Sequence, residues 1–212
     1  MDQKEYWNKV SPTKNFSTPI QLEEFKKRVP MDAEILDVGC GYGRILNELY
    51  QEGYRKLTGA DISEGMIERG RDLYPYLDLL AAAGDDLPFE DASFDAVILF
   101  AVLTGVVYEE AQRKILKEIG RVLKPGGLIY VNDFLLNEDE RNRTRYEKYQ
   151  EKYGIYGIFE LPEGALMRHH TEEYSHSLFT DFEEEIYRKT SFITMNGNPS
   201  NGFYYFGRKK DI

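Results

Sequence analysis

The segment Ile35-Leu36-Asp37-Val38-Gly39-Cys40-Gly41-Tyr42-Gly43-Arg44 constrains the fold more than any other stretch of the 212 residues. An apolar run breaks into three alternating glycines, and Ile45, Leu46 and Leu49 then resume at helical spacing. That order reads as a buried strand, a tight turn and a helix. Glycines at such a turn let a ligand approach the backbone where a side chain would clash. Taken alone, the turn also suits nucleotides that carry phosphates.

The alternation continues on both sides of this segment. Ser17-Thr18-Pro19 offers a helix cap with proline at the first helical position, and Leu22, Phe25 and Val29 predict a first helix ending near Val29-Pro30. Strands are predicted at Glu34 to Val38, Leu57 to Ala60, Leu77 to Ala83, Phe94 to Val102 and Leu128 to Phe134, with helices at Ser63 to Leu73 and Glu109 to Leu123. Phe94 to Val102 is apolar apart from Asp95, as a central strand covered on both faces should be. Alternation of this kind predicts an α/β, doubly wound, mostly parallel sheet.

The C-terminal third differs. A charged, Tyr-rich stretch runs from Asn137 to Met167, and a short helix is expected from near Thr171. Strands follow at Glu185 to Met195 and Gly202 to Arg208, with Asn196-Gly197 and Asn201-Gly202 bracketing the turn of an antiparallel hairpin.

Charge and cysteine content narrow the function. A net charge of −10 repels polyphosphate, so no nucleic-acid partner is expected. The run Arg141, Arg143, Arg145 and Lys148 is interleaved with Glu138, Asp139, Glu140 and Glu147 and reads as a solvated helix face. Cys40 is the only cysteine, which excludes an intrachain disulfide and fits a reducing, cytoplasmic setting, and no metal site is expected. The N-terminus has no apolar signal core and the apolar runs are too short to span a membrane.

Three acids end three successive predicted strands: Asp37, Asp61 and Asp85. A carboxylate at the second tip can accept both hydroxyls of a ribose, one at the third suits an adenine amino group, and Asp37 favours a cationic ligand end. With only Arg44 nearby, these acids make a poor pyrophosphate cradle. Each acid could instead cap a helix, as Asp61 could before Ser63-Glu64.

Asp37-Val-Gly-Cys-Gly-Tyr-Gly43, Gly59-Ala-Asp61, Gly84-Asp85-Asp86-Leu-Pro-Phe89, Phe94-Asp95 and Arg121-Val-Leu-Lys-Pro-Gly-Gly127 resemble the class I S-adenosylmethionine (SAM)-dependent methyltransferases, most closely the branch acting on small molecules. The likeness covers Met31 to Phe134 and extends more loosely to the C-terminal hairpin. It implies a seven-stranded sheet of order 3-2-1-4-5-7-6 with strand 7 antiparallel, SAM as cofactor and S-adenosylhomocysteine (SAH) as product. By the same resemblance Gly39, Gly41 and Gly43 face the methionyl part, with Asp37 and Cys40 in the same turn. Asp61 takes the ribose, Ile62 an adenine face, and Asp85 with Asp86 the adenine edge. Phe100 and Ala101 border the methionyl moiety, and Met66, Gly84 and Leu87 complete the cofactor set. The Asn/Asp-Pro-Pro-aromatic motif of amino-methylating relatives is absent after strand four, where the chain reads Leu99-Phe100-Ala101-Val102.

One domain is expected over residues 1–212, with 1–17 as an N-terminal cover and 137–170 as a lid-like insertion beyond the strands' carboxyl ends. His169 and His170 are the candidate general bases, and Tyr6, Trp7 and Tyr108 the candidate substrate contacts. Cys40 reads as a small buried residue rather than a nucleophile. Two other readings stay open: a dinucleotide-dependent oxidoreductase, disfavoured by the lack of GxGxxG, and a SAM-binding scaffold without turnover. The assembly is a monomer or a homodimer.

Overall fold

A computed structural model describes residues 2–194 and 197–210. Its sheet begins with five parallel strands, β1 (Ile35–Val38), β2 (Leu57–Asp61), β3 (Asp78–Ala81), β4 (Phe94–Phe100) and β5 (Leu123–Phe134). β8 (Phe182–Ile193) and β9 (Pro199–Lys209) complete it in the order β3-β2-β1-β4-β5-β9-β8, with β9 antiparallel to both neighbours. This is the expected topology, with a small antiparallel pair, β6 (Ile158–Glu160) and β7 (Leu166–Arg168), inserted before the last two strands.

The central strands β1 and β4 are mostly apolar because each serves two cores. Leu36, Val38, Val97 and Leu99 face α5 (Glu109–Val122) and α7 (Glu172–Leu178). Ile35, Ala96 and Ile98 face α3 (Arg44–Gln51) and α4 (Glu64–Leu73). Asp95, the one interruption in β4, sits at the strand's start, where it accepts the Glu34 amide and pairs with Lys124 at 2.8 Å.

Three expectations need correction. The N-terminal segment forms a helix, α1 (Gln3–Val10), capped by the Asp2 carboxylate. The helix predicted from Pro19 shrinks to α2 (Leu22–Lys26), because the residues before it are committed to tertiary bonds. Ser17 donates to the Ile193 carbonyl, Thr18 accepts from Arg44, and the Gln21 amide donates to the Tyr130 hydroxyl. In the C-terminal hairpin, Asn201-Gly202 lies within β9, paired with Ser191 and Thr190, rather than in the turn. Met195 and Asn196, assigned to the strand end and turn, lie outside the described residues.

The stretch after β5 holds α6 (Glu140–Tyr153), capped by Asp139, and the β6–β7 pair. Among the described residues, no helix is long and apolar enough to cross a membrane.

Candidate functional site

A cavity of about 370 Å³ opens at the carboxyl ends of β1 to β4. Its floor is the glycine turn. Gly39 and Gly41 adopt left-handed φ values of 74° and 56°. A Cβ on Gly39 would fall 2.3 Å from the Val102 side chain, and one on Gly41 would fall 2.6 Å from Phe16, so no larger residue fits either place. Cys40, buried and on the wall, has its thiol pushed well up by burial and by Asp61 and Asp37, which suits an inert packing residue.

Asp61 lies on the wall at the tip of β2, 8% exposed. Its Oδ2 accepts the Gly41 amide and its Oδ1 the Ser63 amide, each at 2.8 Å. Burial raises its pKa while these two bonds oppose the shift. Each oxygen keeps a lone pair, so a diol can still be accepted.

Asp37 is buried directly beneath the turn, and neither carboxylate oxygen has a hydrogen-bond partner among the described residues. Burial and the nearby Asp61 push its pKa up to about 7, with Arg44 opposing. A buried acid without a partner is costly, and a cation bound above it lowers that cost. The donors and acceptors therefore suit a ligand with a vicinal diol and a positive end, as SAM has.

Ile62, Met66, Gly84, Asp85, Phe100 and Ala101 also line the cavity. Ala101 holds a left-handed φ of 56°, unusual for a residue with a Cβ, with its amide bonded to the Asn132 carbonyl at 2.6 Å. Four expected cofactor contacts lie off the wall, Asp37 among them, buried behind the turn. The Cα substituent direction of Gly43 faces Leu77 and Leu79, Leu87 belongs to the core against α5, and Asp86 is exposed off the wall.

Of the expected substrate contacts, Trp7 lines the cavity. Tyr6 is wholly buried among Val10, Tyr42, Met66 and Ala165, its hydroxyl pushed up to about 12 chiefly by burial. Tyr108 is 51% exposed and off the wall. α1 is strapped over the site, with the Asn8 carbonyl oxygen Oδ1 accepting from Ser63 and Gly65 and the Gln3 side chain donating to the Leu166 carbonyl at 2.6 Å.

The adjacent histidines separate. His170 is buried off the wall, its Nε2 2.9 Å from the Gln112 amide, and its pKa falls to about 3 through burial and the charge of Arg168. His169 lines the cavity, and burial, with Arg145 beside it, pulls its pKa well down. Its Nδ1 lies 2.5 Å from the Tyr146 hydroxyl and 3.2 Å from the Asn137 amide nitrogen. The Asn137 amide is oriented by two backbone partners: Oδ1 accepts from Asn201 and Nδ2 donates to Leu135. The two Asn137 Nδ2 hydrogens have the Leu135 carbonyl and the Ser200 hydroxyl at 3.0 Å each, which leaves the Tyr146 hydroxyl as the partner of Nδ1; when that hydroxyl donates, the neutral ring carries its proton on Nε2 and presents an N–H rather than a basic nitrogen.

Sequence reasoning missed Phe16, Val102, Phe159, Leu161 and Arg145 on the wall. Arg145 was assigned to a solvated face, yet it is partly buried with its guanidinium 3.4 Å above the Phe159 ring. The arginine-rich run carries no signal that separates Arg145 from Arg143, because the difference is made by β6 packing beneath one of them.

Residues 36–131 match the family described as a methyltransferase domain. A crystal structure from Methanosarcina mazei described as a SAM-dependent methyltransferase is similar at 29% identity, with a TM-score of 0.85 over 92% of this chain and 99% of that one. Among curated relatives, an O-methyltransferase, resE of Aspergillus sclerotiorum, is 29% identical over 160 residues. A tRNA (carboxymethyluridine(34)-5-O)-methyltransferase of Saccharomyces cerevisiae is 29% identical over 148 residues. The aligned regions cover 71% and 66% of this chain but only 60% and 50% of those relatives.

Proposed function

We propose, from the premise that this chain belongs to the class I SAM-dependent methyltransferases, that it methylates a small molecule held beside Trp7, Phe134, Phe159 and His169. The observation that carries the proposal is the roof over the cavity. α1 and the β6–β7 pair meet above it through the Gln3 bond to Leu166, and Trp7, Phe159, Leu161 and Met167 add an apolar cover. A partly roofed, largely apolar chamber of this size suits a compact molecule better than a polymer. The net charge of −10 argues the same way against tRNA.

In this reading the segment 1–17 acts as a cover and 137–170 as a lid over one domain. The glycine turn and Asp61 hold the cofactor, Asp85 takes its adenine edge, and Asp37 acts through the turn on its positive end. Bound SAM supplies an activated methyl group for in-line displacement by the acceptor's nucleophile. The chain's part is to align the two molecules and exclude water, which can be worth several kcal/mol. His169 orients the acceptor as a hydrogen-bond donor and takes no proton from it.

Label transfer tests the assignment. Methyl-labelled SAM is incubated with the protein and with separated small-molecule, tRNA and protein fractions of a cell extract. Label in the small-molecule fraction is expected, whereas label confined to tRNA or protein would overturn the proposal.

A further inference from the structure

Arg145 is the cavity's unusual charge. Its guanidinium stacks on Phe159, its Nε meets no acceptor, and no carboxylate is within ion-pair distance of it among the described residues. The acids of the surrounding segment are engaged elsewhere: Glu160 with Lys152 and Tyr153, and Asp139 with Asn142 and Arg141. A partly buried guanidinium without an anion is an expensive arrangement in a chain of net charge −10, which has acids to spare.

His169 sits against the same aromatic ring, edge-on to Phe159 at 4.9 Å between centroids. Its Nε2 has no hydrogen-bond partner among the described residues, and the tautomer in which the Tyr146 hydroxyl donates to Nδ1 puts a proton there. Two donor groups thus share one aromatic support on the part of the wall contributed by the insertion, apart from the strand tips that suit the cofactor.

We propose that the methyl acceptor carries a carboxylate, received by the Arg145 guanidinium and the His169 Nε2–H; this rests on the small-molecule reading above. The planar guanidinium fork matches a carboxylate in two parallel bonds. Arg141, one turn earlier on α6, also lines the cavity but is paired with Asp139 at 3.8 Å, and His169 is neutral, so the pair leaves one unanswered positive charge that balances a monoanion and under-compensates a phosphate dianion. The apolar body of the acceptor then runs from this anchor along Trp7 and Phe134.

Trp7, the single tryptophan, lines the cavity, so its fluorescence reports occupancy. Hexanoate and cyclohexylacetate, their amides, and hexyl phosphate are titrated into the full chain, with and without SAH. The acids should quench Trp7 saturably, with the amides and the phosphate about tenfold or more weaker. Arg145→Met, which keeps a stem over Phe159, should erase the preference for acid over amide and leave SAH affinity unchanged.

Equal binding of acid and amide by the unsubstituted protein would overturn the proposal whatever the variant does. So would tighter binding of hexyl phosphate, or a folded Arg145→Met protein that still prefers acids or has lost SAH. Failure of the unsubstituted protein to bind SAH counts against the methyltransferase assignment instead, since the cofactor-free titration reads Arg145 on its own.

Discussion

The Asp61 carboxylate accepts a hydrogen bond from the Gly41 amide at 2.8 Å, so the residue that ends β2 also fixes the turn that ends β1. Its second oxygen holds the Ser63 amide and with it the start of α4. Asp61→Ala should therefore weaken SAM binding about ten- to a hundredfold, or about 1.5–3 kcal/mol, measured by calorimetry. Asp61→Asn should do nearly as badly, because its NH₂ group would face one of the two amide donors. Full affinity in either folded variant would remove Asp61 from the cofactor site.

Asp37 gives a pH signature. Its folded pKa of about 7 stands above the ordinary 3.8. As pH rises from 3.8 toward 7 the unfolded chain gives up this proton first, so the cofactor-free protein loses stability across that window and the loss persists above it. Asp37→Asn should raise the melting temperature near neutral pH and change it little at about pH 4. A cation above the turn favours the ionised acid, so SAM affinity should fall as pH drops below about 7, by at most about tenfold per unit. A pH-independent SAM affinity, with Asp37→Asn binding normally, would contradict the coupling.

Packing between β2 and α3 sets a third expectation. A Cβ on Gly59 would lie 2.7 Å from Leu79, 2.8 Å from Cys40 and 2.9 Å from Leu46, all in the core. Gly59→Ala should cost about 1–3 kcal/mol and lower the melting temperature by several degrees. An unchanged melting temperature would mean that β2 and α3 are less closely packed than described.

The two histidines should behave differently. His170→Ala leaves the buried Gln112 side chain short of a partner, which should cost about 1–3 kcal/mol of stability while turnover survives at low temperature. His169→Ala should raise the KM for the acceptor found by label transfer. Loss of turnover in a folded His170→Ala protein would reverse the assignment.

The sheet was legible because its central strands are buried on both faces and read as apolar runs broken only by Asp37 in β1 and Asp95 in β4, and because Gly39 and Gly41 stand where backbone must pass close to Val102 and Phe16. α1 was not, although Tyr6, Trp7 and Val10 fall on one helical face, since three apolar positions in an eight-residue polar segment give only two turns of pattern, and they dock on residues distant in sequence. α6 was read only as a solvated helix face, because just Asn142 and Tyr146 are buried on it. Within the site, motif spacing located the loops but not the direction of each side chain. Asp85 lines the cavity while Asp86 and Leu87, its neighbours, turn away. Arg145 became visible only once Phe159 packed beneath it.

Calorimetric titration with SAM, SAH and NAD in parallel tests the account most directly. The orphaned Asp37, the doubly bonded Asp61 and the glycine turn call for micromolar binding of SAM and SAH and none of NAD. Binding of NAD with no response to SAM or SAH would contradict it.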